Sequence, residues 1–449
     1  MALPPGPALH PVLQVVRWVR NPFRVMDECH AQFGDTFTLR LPPFGKMVVV
    51  SNPDDVKEVF ALGSDEGHAG KANFVLKPFL GQHSVLLLDG AEHLRQRKMM
   101  LPSFHGERMQ AYGQSMTDLA HDSIDTWPIG TGFAVHRPMQ QITLQVIVRT
   151  VFGIGEGPRF ATLSDVLTRA LDAGAWPGLL FPVLQRDLGP LSPWGKFVRL
   201  QRRASEILRG EIRRGRESGT SGRTDVLAML LDARDDAGRP LTEDEVHDEL
   251  TTLLLAGHET TATSLAWALR WILPDRGLVE RLRDELRTAE GDPARVAKLE
   301  LLDATVREAL RLQPIIPVVG RVLQRPMTIG GRDYKQGTLV APAVYLVHQR
   351  PSLYPEPRAF RPERFLKFKP SPSEWLPFGG GLRRCIGAAF ALYEMKMVLA
   401  SLLPRIDARL ADDRVAMSRR GVTLTPTGGL RIVVTARRPR PDVTRAKAA

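Results

Sequence analysis

A cysteine near the carboxyl end of the chain stands in a loop whose composition suits chemistry. Cys385 follows three consecutive glycines and two arginines in the stretch "PFGGGLRRCIG". Glycine reaches backbone angles that other residues avoid, so the glycines allow backbone N–H groups to turn toward the sulfur. The run "IGAAFALYEMKMVLASLL" then predicts a helix that ends at Pro404, which puts the thiol at the positive end of a helix dipole. Both effects favour the thiolate over the thiol.

Several kinds of chemistry are open to a thiolate in such a loop. It could be a nucleophile, a redox centre or a metal ligand, and a glycine turn before an inert buried cysteine is the ordinary alternative. A phosphate-binding loop is excluded because no Gly-Lys-Ser/Thr follows the glycines. A dinucleotide-binding loop is excluded because the glycine spacing is wrong. The other cysteine, Cys29, predicts only a half-buried thiol, and two cysteines make no disulfide framework.

An acid and an alcohol lie in the middle of a long predicted helix. Thr242 and Glu245 form a capping box, after which the helical pattern can continue to Leu273. The acid is Glu259 and the alcohol is Thr260, which follows it directly. Small residues form a narrow stripe around them, where a flat ring could approach the backbone, although packing between helices would also explain such a stripe. The stripe consists of Ala256, Gly257, Thr260, Thr261 and Ser264.

A third pattern combines one acid with one arginine. "VREALRLQP" places Glu308 and Arg311 three residues apart on a helix that Pro314 ends. On an exposed helix such a pair contributes only about 0.2–0.5 kcal/mol, and surface pairing is its usual meaning. The pair by itself is therefore a weak signal.

These patterns together resemble the cytochrome P-450 family, the heme-thiolate monooxygenases, in its soluble bacterial type. The matching motifs are F-x-x-G-x-R-x-C-x-G in the cysteine loop, (A/G)-G-x-(D/E)-T-(T/S) in "AGHETT", and E-x-x-R followed by a later arginine. The resemblance covers nearly the whole chain. It implies a fold that is mainly α with small β-sheets, triangular and helix-rich, with heme between a long central helix and the helix after the cysteine.

The resemblance implies roles for individual residues. Cys385 would be the axial ligand of the iron of heme b (iron protoporphyrin IX), and Glu259 and Thr260 would be the acid–alcohol pair near bound oxygen. Glu308, Arg311 and Arg364 would form a buried structural network behind the heme. Further heme-contacting positions, which include partners for the two propionates, would be His93, Arg97, Ala256, Gly257, Arg321, Phe378, Gly379, Arg383 and Gly387.

The resemblance also implies a substrate pocket, which should be mostly apolar as ligand pockets generally are. Each candidate could equally belong to the ordinary core, and no charged anchor stands out. The substrate would be a fatty acid, terpenoid, steroid or polyketide. The candidates are Phe74, Val75, Leu86, Trp176, Leu180, Phe181, Leu253, Ile315, Val318, Val319 and Thr427.

Hydrophobic periodicity indicates the elements that must position these residues. "DTFTLRLPPFGKMVVVSNP" predicts two strands around a turn, after which the helical period dominates. "VTLTPTGGLRIVVTA" predicts a hairpin that turns at Thr427–Gly429. We expect one domain over residues 1–449 and a disordered basic tail at about 437–449. The strand-rich parts should be residues 35–52, 327–342 and 422–436, roughly.

Composition narrows the class of protein further. The chain has 449 residues, of which 43% are hydrophobic, and a net charge of +12. A chain of this length can enclose a cofactor. It contains no apolar run of about 18 residues that would span a bilayer and no signal-peptide pattern, so we expect a cytoplasmic protein without a membrane anchor. No nucleic-acid motif accompanies the basic charge, which predicts no nucleic-acid partner.

We therefore expect a monooxygenase that inserts one atom of O2 into a small hydrophobic substrate by hydroxylation or epoxidation. Nothing after the heme domain could hold flavin, so electrons should come from a separate ferredoxin or flavodoxin with its NAD(P)H-dependent reductase. Such a partner would dock on the basic surface around Arg383 and Arg384, and we expect a monomer. The alternatives are a heme-thiolate peroxygenase or isomerase, which Glu259 and Thr260 argue against, and a cofactor-free basic binding protein.

Overall fold

The computed structural model describes residues 2–42, 44–104, 111–155, 157–189 and 192–440. Helices dominate, as predicted. The described helices are α1 (Pro11–Arg20), α2 (Pro22–Phe33), α3 (Pro53–Ala61), α4 (Ala69–Ala72), α5 (Lys77–Leu80), α6 (Gly90–Met100), α7 (Gly113–Asp125), α8 (His136–Phe152), α9 (Pro158–Gly174), α10 (Pro193–Ser218), α11 (Val226–Asp232), α12 (Glu243–Ile272), α13 (Arg276–Thr288), α14 (Pro293–Val296), α15 (Glu300–Leu312), α16 (Val344–His348), α17 (Glu363–Lys367) and α18 (Ala388–Leu402).

The strands are short and form small sheets at the side of the helices. They are β1 (Thr36–Leu41), β2 (Gly45–Val50), β3 (Gly67–His68), β4 (Gly132–Ala134), β5 (Arg321–Leu323), β6 (Met327–Ile329), β7 (Arg332–Tyr334), β8 (Leu339–Pro342), β9 (Ile406–Leu410), β10 (Met417–Arg420), β11 (Thr423–Pro426) and β12 (Arg431–Arg437). The largest sheet has the order β1-β2-β8-β5-β3, in which only β2 and β8 run parallel. The sequence prediction of a mainly α fold with small sheets is confirmed.

The long helix α12 lies at the centre of the core and begins where the capping box predicts. The Thr242 hydroxyl accepts from the Glu245 backbone N–H at 3.2 Å, and the Glu245 carboxylate accepts from the Thr242 N–H at 2.7 Å. Along its length α12 packs against α8, α10, α15 and α18. Its carboxyl half is completely buried at Leu265 and Leu269. The helix can therefore hold side chains at fixed positions inside the protein.

The C-terminal strands correct one prediction. β11 does not pair with β12 across Thr427–Gly429; it pairs with β10, so that the hairpin turns between Arg420 and Thr423. β12 joins β4 and β9 in a separate three-stranded sheet. The predicted turn exists as one short helical turn, but it connects two different sheets.

The predicted disordered tail is also partly wrong. Arg437 ends β12, and two further arginines of the tail make ion pairs with the body of the protein. Arg438 contacts Asp407 at 2.8 Å, and Arg440 contacts Asp122 at 3.2 Å. The remainder of the tail, residues 441–449, lies outside the described residues. Among the described residues, no helix is long and apolar enough to cross a membrane.

Candidate active site

The cysteine loop is held by its own backbone and by close packing on α3. The Cys385 N–H donates to the carbonyl oxygen of Phe378 at 2.9 Å. Gly381 has a positive φ of 62°, and a Cβ there would lie 2.0 Å from the carbonyl oxygen of Phe60. A Cβ at Gly380 would lie 2.4 Å from the ring of the same phenylalanine. Two of the three glycines are therefore required for loop packing, a reason that the sequence did not reveal.

Cys385 lies deep in the protein and still has accessible surface. The residue is exposed, yet burial raises the pKa of its thiol, and this effect outweighs the hydrogen bond from the Gly387 N–H and the charges of Arg97 and Arg384. The expected preference for the thiolate is thus not met in the protein by itself. Cys385 is thus accessible and yet desolvated, which indicates that its sulfur faces open space inside the fold. A cysteine that ligates a bound metal is expected to have such surroundings.

Three arginines and a histidine gather near this space, and one carboxylate, Asp89, faces them. Burial lowers the pKa of Arg321 and of Arg383 to about 10, and neighbouring charges of the cluster contribute. Burial, together with the charges of the three arginines, lowers the pKa of His93 to about 3, so that its ring is neutral and the positive charge is that of the arginines. Positive charge is therefore concentrated beyond what one acid can balance.

Asp89 is already largely occupied. It accepts from Arg383 at 2.5 Å and from the backbone N–H groups of Gly70 and Lys71 at 2.8 and 3.0 Å. The Arg97 side chain, by contrast, makes no hydrogen bond or ion pair within the described part of the chain, although burial lowers its pKa. A buried cation needs an anionic partner. The cluster thus fits a group that brings two carboxylates, as heme does.

The middle of α12 presents two small residues to open space. Ala256 is exposed although it lies halfway along a helix that is largely buried. Thr260, one turn later, donates its hydroxyl to the Ala256 carbonyl oxygen at 2.6 Å. A Cβ at Gly257 would lie 2.6 Å from Cδ1 of Ile147 on α8. The packing of α12 against α8 therefore favours a small residue at this position, and the predicted contact of Gly257 with heme stays a prediction.

Glu259 points away from Thr260 into a polar network that sequence reasoning missed. Its carboxylate accepts from Gln140 at 2.8 Å and from Arg420 at 3.2 Å, and it lies 3.4 Å from a ring nitrogen of His136. Burial raises the pKa of Glu259, but the hydrogen bond and charge of His136 and the charge of Arg420 prevail and lower it to about 2. The acid is therefore held ionised. Thr263, one turn further along α12, also donates to it at 3.2 Å. The other partners come from α8 and β10, which no local pattern connects to "AGHETT".

The predicted acid–arginine network is assembled as a unit. Arg311 donates twice to Glu308, at 2.7 and 2.9 Å, and Arg364 donates to the same carboxylate at 3.0 Å. Glu308 and Arg311 are fully buried. Arg311 also donates to the carbonyl oxygens of His348 and Pro357 at 2.7 and 2.8 Å. The alternative of surface pairing is excluded for these three residues.

The predicted pocket residues have diverse surroundings. Val75 and Ile315 are buried, whereas Phe74 and Trp176 are 42% and 47% exposed. Thr427 is exposed on the turn after β11. Leu86 and Leu180 pack on a small core cluster that contains Phe79, Leu179 and Phe197. Leu253 packs on the largest core cluster, and Val318 and Val319 pack on clusters beside the five-stranded sheet. Phe181 is half-buried.

The tip of the final hairpin lies elsewhere than the sequence suggested. The Gly421 N–H donates to the carbonyl oxygen of Ala175 at 2.6 Å, beside Trp176. Arg420 from the same tip reaches Glu259 and Asp172. Arg420 and Gly421 thus approach the middle helices, whereas the role of Thr427 in the pocket stays a prediction.

Comparisons with known proteins agree with this geometry. The family model described as cytochrome P450 matches residues 4–432. A protein named cytochrome P450 135B1 from Mycobacterium tuberculosis is 39% identical over 446 residues, which are 98% of this chain and 92% of that protein. Cytochrome P450 135A1 of the same species is 36% identical over 90% of this chain and 88% of its own.

Two solved structures are similar in fold. The retinoic acid-bound cyanobacterial CYP120A1 has a TM-score of 0.82 and 25% identity, and the match covers 97% of this chain and 100% of that one. The heme domain of cytochrome P450DA has a TM-score of 0.83 and 22% identity, over 97% and 98% of the two chains. The cysteine loop, the long helix and these matches lead to one conclusion: the chain belongs to the cytochrome P450 family and is a heme-iron monooxygenase.

Proposed function

We propose that this enzyme holds heme b through Cys385 and inserts one oxygen atom of O2 into a hydrophobic organic substrate, by hydroxylation or epoxidation. The observation that carries the proposal is the accessible, desolvated Cys385 beside a surplus of buried cations. When bound, heme iron with a thiolate ligand supplies the activation of O2. The fold would form one domain over residues 1–449 that encloses this group.

The residues of the cysteine loop and the cation cluster would hold the cofactor. Cys385 would ligate the metal, and the Gly387 N–H would stabilise the negative sulfur. Arg97, Arg321 and Arg383, with His93, would pair with the propionates, which need cationic partners where they are buried. Three more positions border the same region and would contact the ring: Ala256 on α12, and Phe378 and Gly379 in the loop.

Glu259 and Thr260 would deliver protons to the reacting centre. The Thr260 hydroxyl lies next to the exposed Ala256, so its Oγ1 can hold a proton at the open side of α12. The Glu259 carboxylate is ionised and can accept a proton from water, but a turn toward Thr260 requires it to release His136 and Arg420. This pair favours a monooxygenase over a peroxygenase or an isomerase.

An apolar substrate is supported by the predominantly apolar candidate pocket. A fatty acid, terpenoid, steroid or polyketide would fit that description. CYP120A1, which is 25% identical to this chain, binds retinoic acid in its solved structure. Such a ligand combines an apolar body with a carboxylate.

Electrons would come from a separate ferredoxin or flavodoxin with its NAD(P)H-dependent reductase. Arg384 and Leu382 are exposed beside the cysteine loop. An acidic carrier would dock there with a rate that falls as salt increases. We expect the enzyme to work as a monomer with this partner.

The test is the visible spectrum of the reduced protein with carbon monoxide. We expect the red-shifted Soret peak of a thiolate-ligated heme, and we expect Cys385→Ser to abolish it while Cys29→Ser keeps it. A wild-type protein that binds heme without that peak, or a Cys385→Ser variant that retains it, would refute the ligand assignment. A colourless protein would favour the cofactor-free alternative, and extraction of the bound heme would identify it as heme b.

A further inference from the structure

Arg419 and Arg420 are adjacent on β10, and they point to opposite faces of the hairpin because side chains alternate along a strand. Arg420 reaches Glu259 and Asp172 on one face. Arg419 lies opposite Leu424 in the ladder, so their side chains share the other face. Leu424 is 1% exposed and belongs to the apolar cluster beside the five-stranded sheet. Arg419 is therefore carried toward apolar surroundings.

Arg419 has no partner of any kind there. Its Nε and Nη2 atoms are buried without a hydrogen bond, and the guanidinium makes no ion pair within the described residues. Burial alone lowers its pKa to about 10, with no contribution from a neighbouring charge. Most buried polar groups in proteins are hydrogen-bonded, and each exception needs an explanation. The residue as a whole is half-buried, and its Nη1 atom is not among the sealed atoms, so a ligand would approach the guanidinium from the Nη1 end.

This cation is separate from the cluster near Cys385. The pKa of Arg321 responds to Arg383 and Asp89, and the pKa of Arg383 responds to Asp89 and Arg97, whereas the pKa of Arg419 responds to none of these charges. A propionate partner therefore does not account for Arg419. Val318, one of the candidate pocket residues, packs on the same apolar cluster as Leu424, the residue opposite Arg419 in the ladder.

A groove beside the five-stranded sheet has a matching electrostatic character. Phe44 and Phe74 line this open groove of about 430 Å³ together with Lys46 and Lys71, and none of its described lining residues is acidic. Leu339 belongs both to the groove and to the apolar cluster beside Arg419. Apolar walls with positive charge favour a molecule that has an apolar body and a negative end.

We propose that Arg419 binds the anionic head group of the substrate, so that this enzyme oxidises apolar molecules that end in a carboxylate. The inference rests on the proposed monooxygenase function and narrows its substrate class. Arginine suits this role because its planar fork can donate two parallel hydrogen bonds to a carboxylate. Bound substrate would supply the countercharge that the protein does not.

The test compares acids with their neutral counterparts in the heme-loaded enzyme. Dodecanoic acid and 1-dodecanol form one pair, and retinoic acid and retinol form a second. Binding is followed by the spin-state shift of the Soret band at neutral pH and independently by titration calorimetry. A hydrogen-bonded charge pair predicts that each acid binds about tenfold or more tightly than its alcohol.

The variants Arg419→Gln and Arg419→Lys test the residue itself. We expect Arg419→Gln to abolish the preference for acids while alcohol binding changes little, and Arg419→Lys to keep part of that preference. Arg414→Gln removes the same charge from an exposed site nearby and should behave as wild type. Removal of an unpaired buried charge should also raise the melting temperature of the ligand-free enzyme.

Three results would overturn the proposal: acids that bind no better than alcohols in wild type, acids that do not bind at all, or an acid preference that survives in Arg419→Gln. The comparison of acids with alcohols in the wild-type enzyme tests the proposal even if Arg419→Gln does not fold. A failure of the proposed monooxygenase function is distinguishable, because in that case the reduced protein gives no red-shifted peak with carbon monoxide. Calorimetry would still measure the acid preference in that case.

Discussion

Replacement of Glu308 by glutamine would test how the buried network stabilises the fold behind the candidate site. In wild type the carboxylate accepts from Arg311 twice, from Arg364 and from the Arg361 backbone N–H. Glu308→Gln keeps the size and removes the negative charge. The guanidinium groups of Arg311 and Arg364 then have no counterion, although their side chains are only 0% and 11% exposed, respectively. Such a loss costs about 3–5 kcal/mol.

The chain provides a matched control on α13. Asp284 and Arg287 have the same spacing of acid and arginine, but their side chains are 62% and 71% exposed. An exposed pair contributes about 0–1 kcal/mol. Asp284→Asn therefore removes an equivalent charge from an equivalent position on a helix and leaves both groups solvated.

The assay is thermal unfolding followed by far-ultraviolet circular dichroism and by the heme band. The unfolding entropy of about 2.1 cal/mol/K per residue amounts to roughly 0.9 kcal/mol/K for a chain of 449 residues. We thus expect Glu308→Gln to lower the melting temperature by about 3–5 °C and Asp284→Asn by about 1 °C or less. If both variants melt within a degree of wild type, burial does not make this network necessary and the reasoning fails.

Four further predictions concern the candidate site. Thr260→Ala should lower the product formed per O2 consumed by about tenfold or more, with peroxide released instead; unchanged coupling would contradict the role of the hydroxyl. Arg97→Gln should weaken heme retention about tenfold to hundredfold, measured by transfer to apomyoglobin, and equal retention would remove it from the propionate set. Arg420→Gln should lower the free energy of unfolding by its full amount above about pH 4.5, the ordinary pKa of a glutamate such as Glu259. The difference from wild type should vanish toward pH 2, because the pKa of Glu259 is lowered in the fold and the acid becomes protonated only there. A difference that persists at pH 2 would show that Arg420 acts by packing. Turnover with an acidic ferredoxin should fall about tenfold from low to high salt if it docks around Arg384, and a flat salt profile would contradict electrostatic docking.

The parts of the site that could be predicted from the sequence are those that depend on residues close together in the chain. The start of α12 follows from a capping box in which side chain and backbone are three residues apart. The network of Glu308, Arg311 and Arg364 was implied by the family resemblance, which rests on E-x-x-R and the later arginine. The burial of Glu308 and Arg311 could not be predicted from the sequence, since Asp284 and Arg287 on α13 have the same spacing and are exposed. Only the tertiary surroundings distinguish the buried pair from the exposed pair.

The glycines of the cysteine loop show the same limit. Their run indicated an unusual loop near a reactive sulfur, and the Gly387 N–H does act on that sulfur. The requirement at Gly380 and Gly381 has another source, because Phe60 of α3 approaches them more closely than a Cβ would allow. This contact joins residues more than 300 positions apart in a chain of 449, so no short window contains it.

The final hairpin shows why a turn signal is weaker than it looks. The residues of Thr427–Gly429 do reverse the chain, as glycine-rich turns should. A reversal does not decide which strands pair, and here β11 pairs with the preceding strand while β12 joins β9 and β4. The actual tip brings Arg420 to Glu259 and leaves Arg419 on the opposite, apolar face. Arg419 and Arg420 are neighbours of the same residue type, yet their places in the paired strand give them opposite electrostatic roles. For this reason, no charged substrate anchor could be identified before the fold was known.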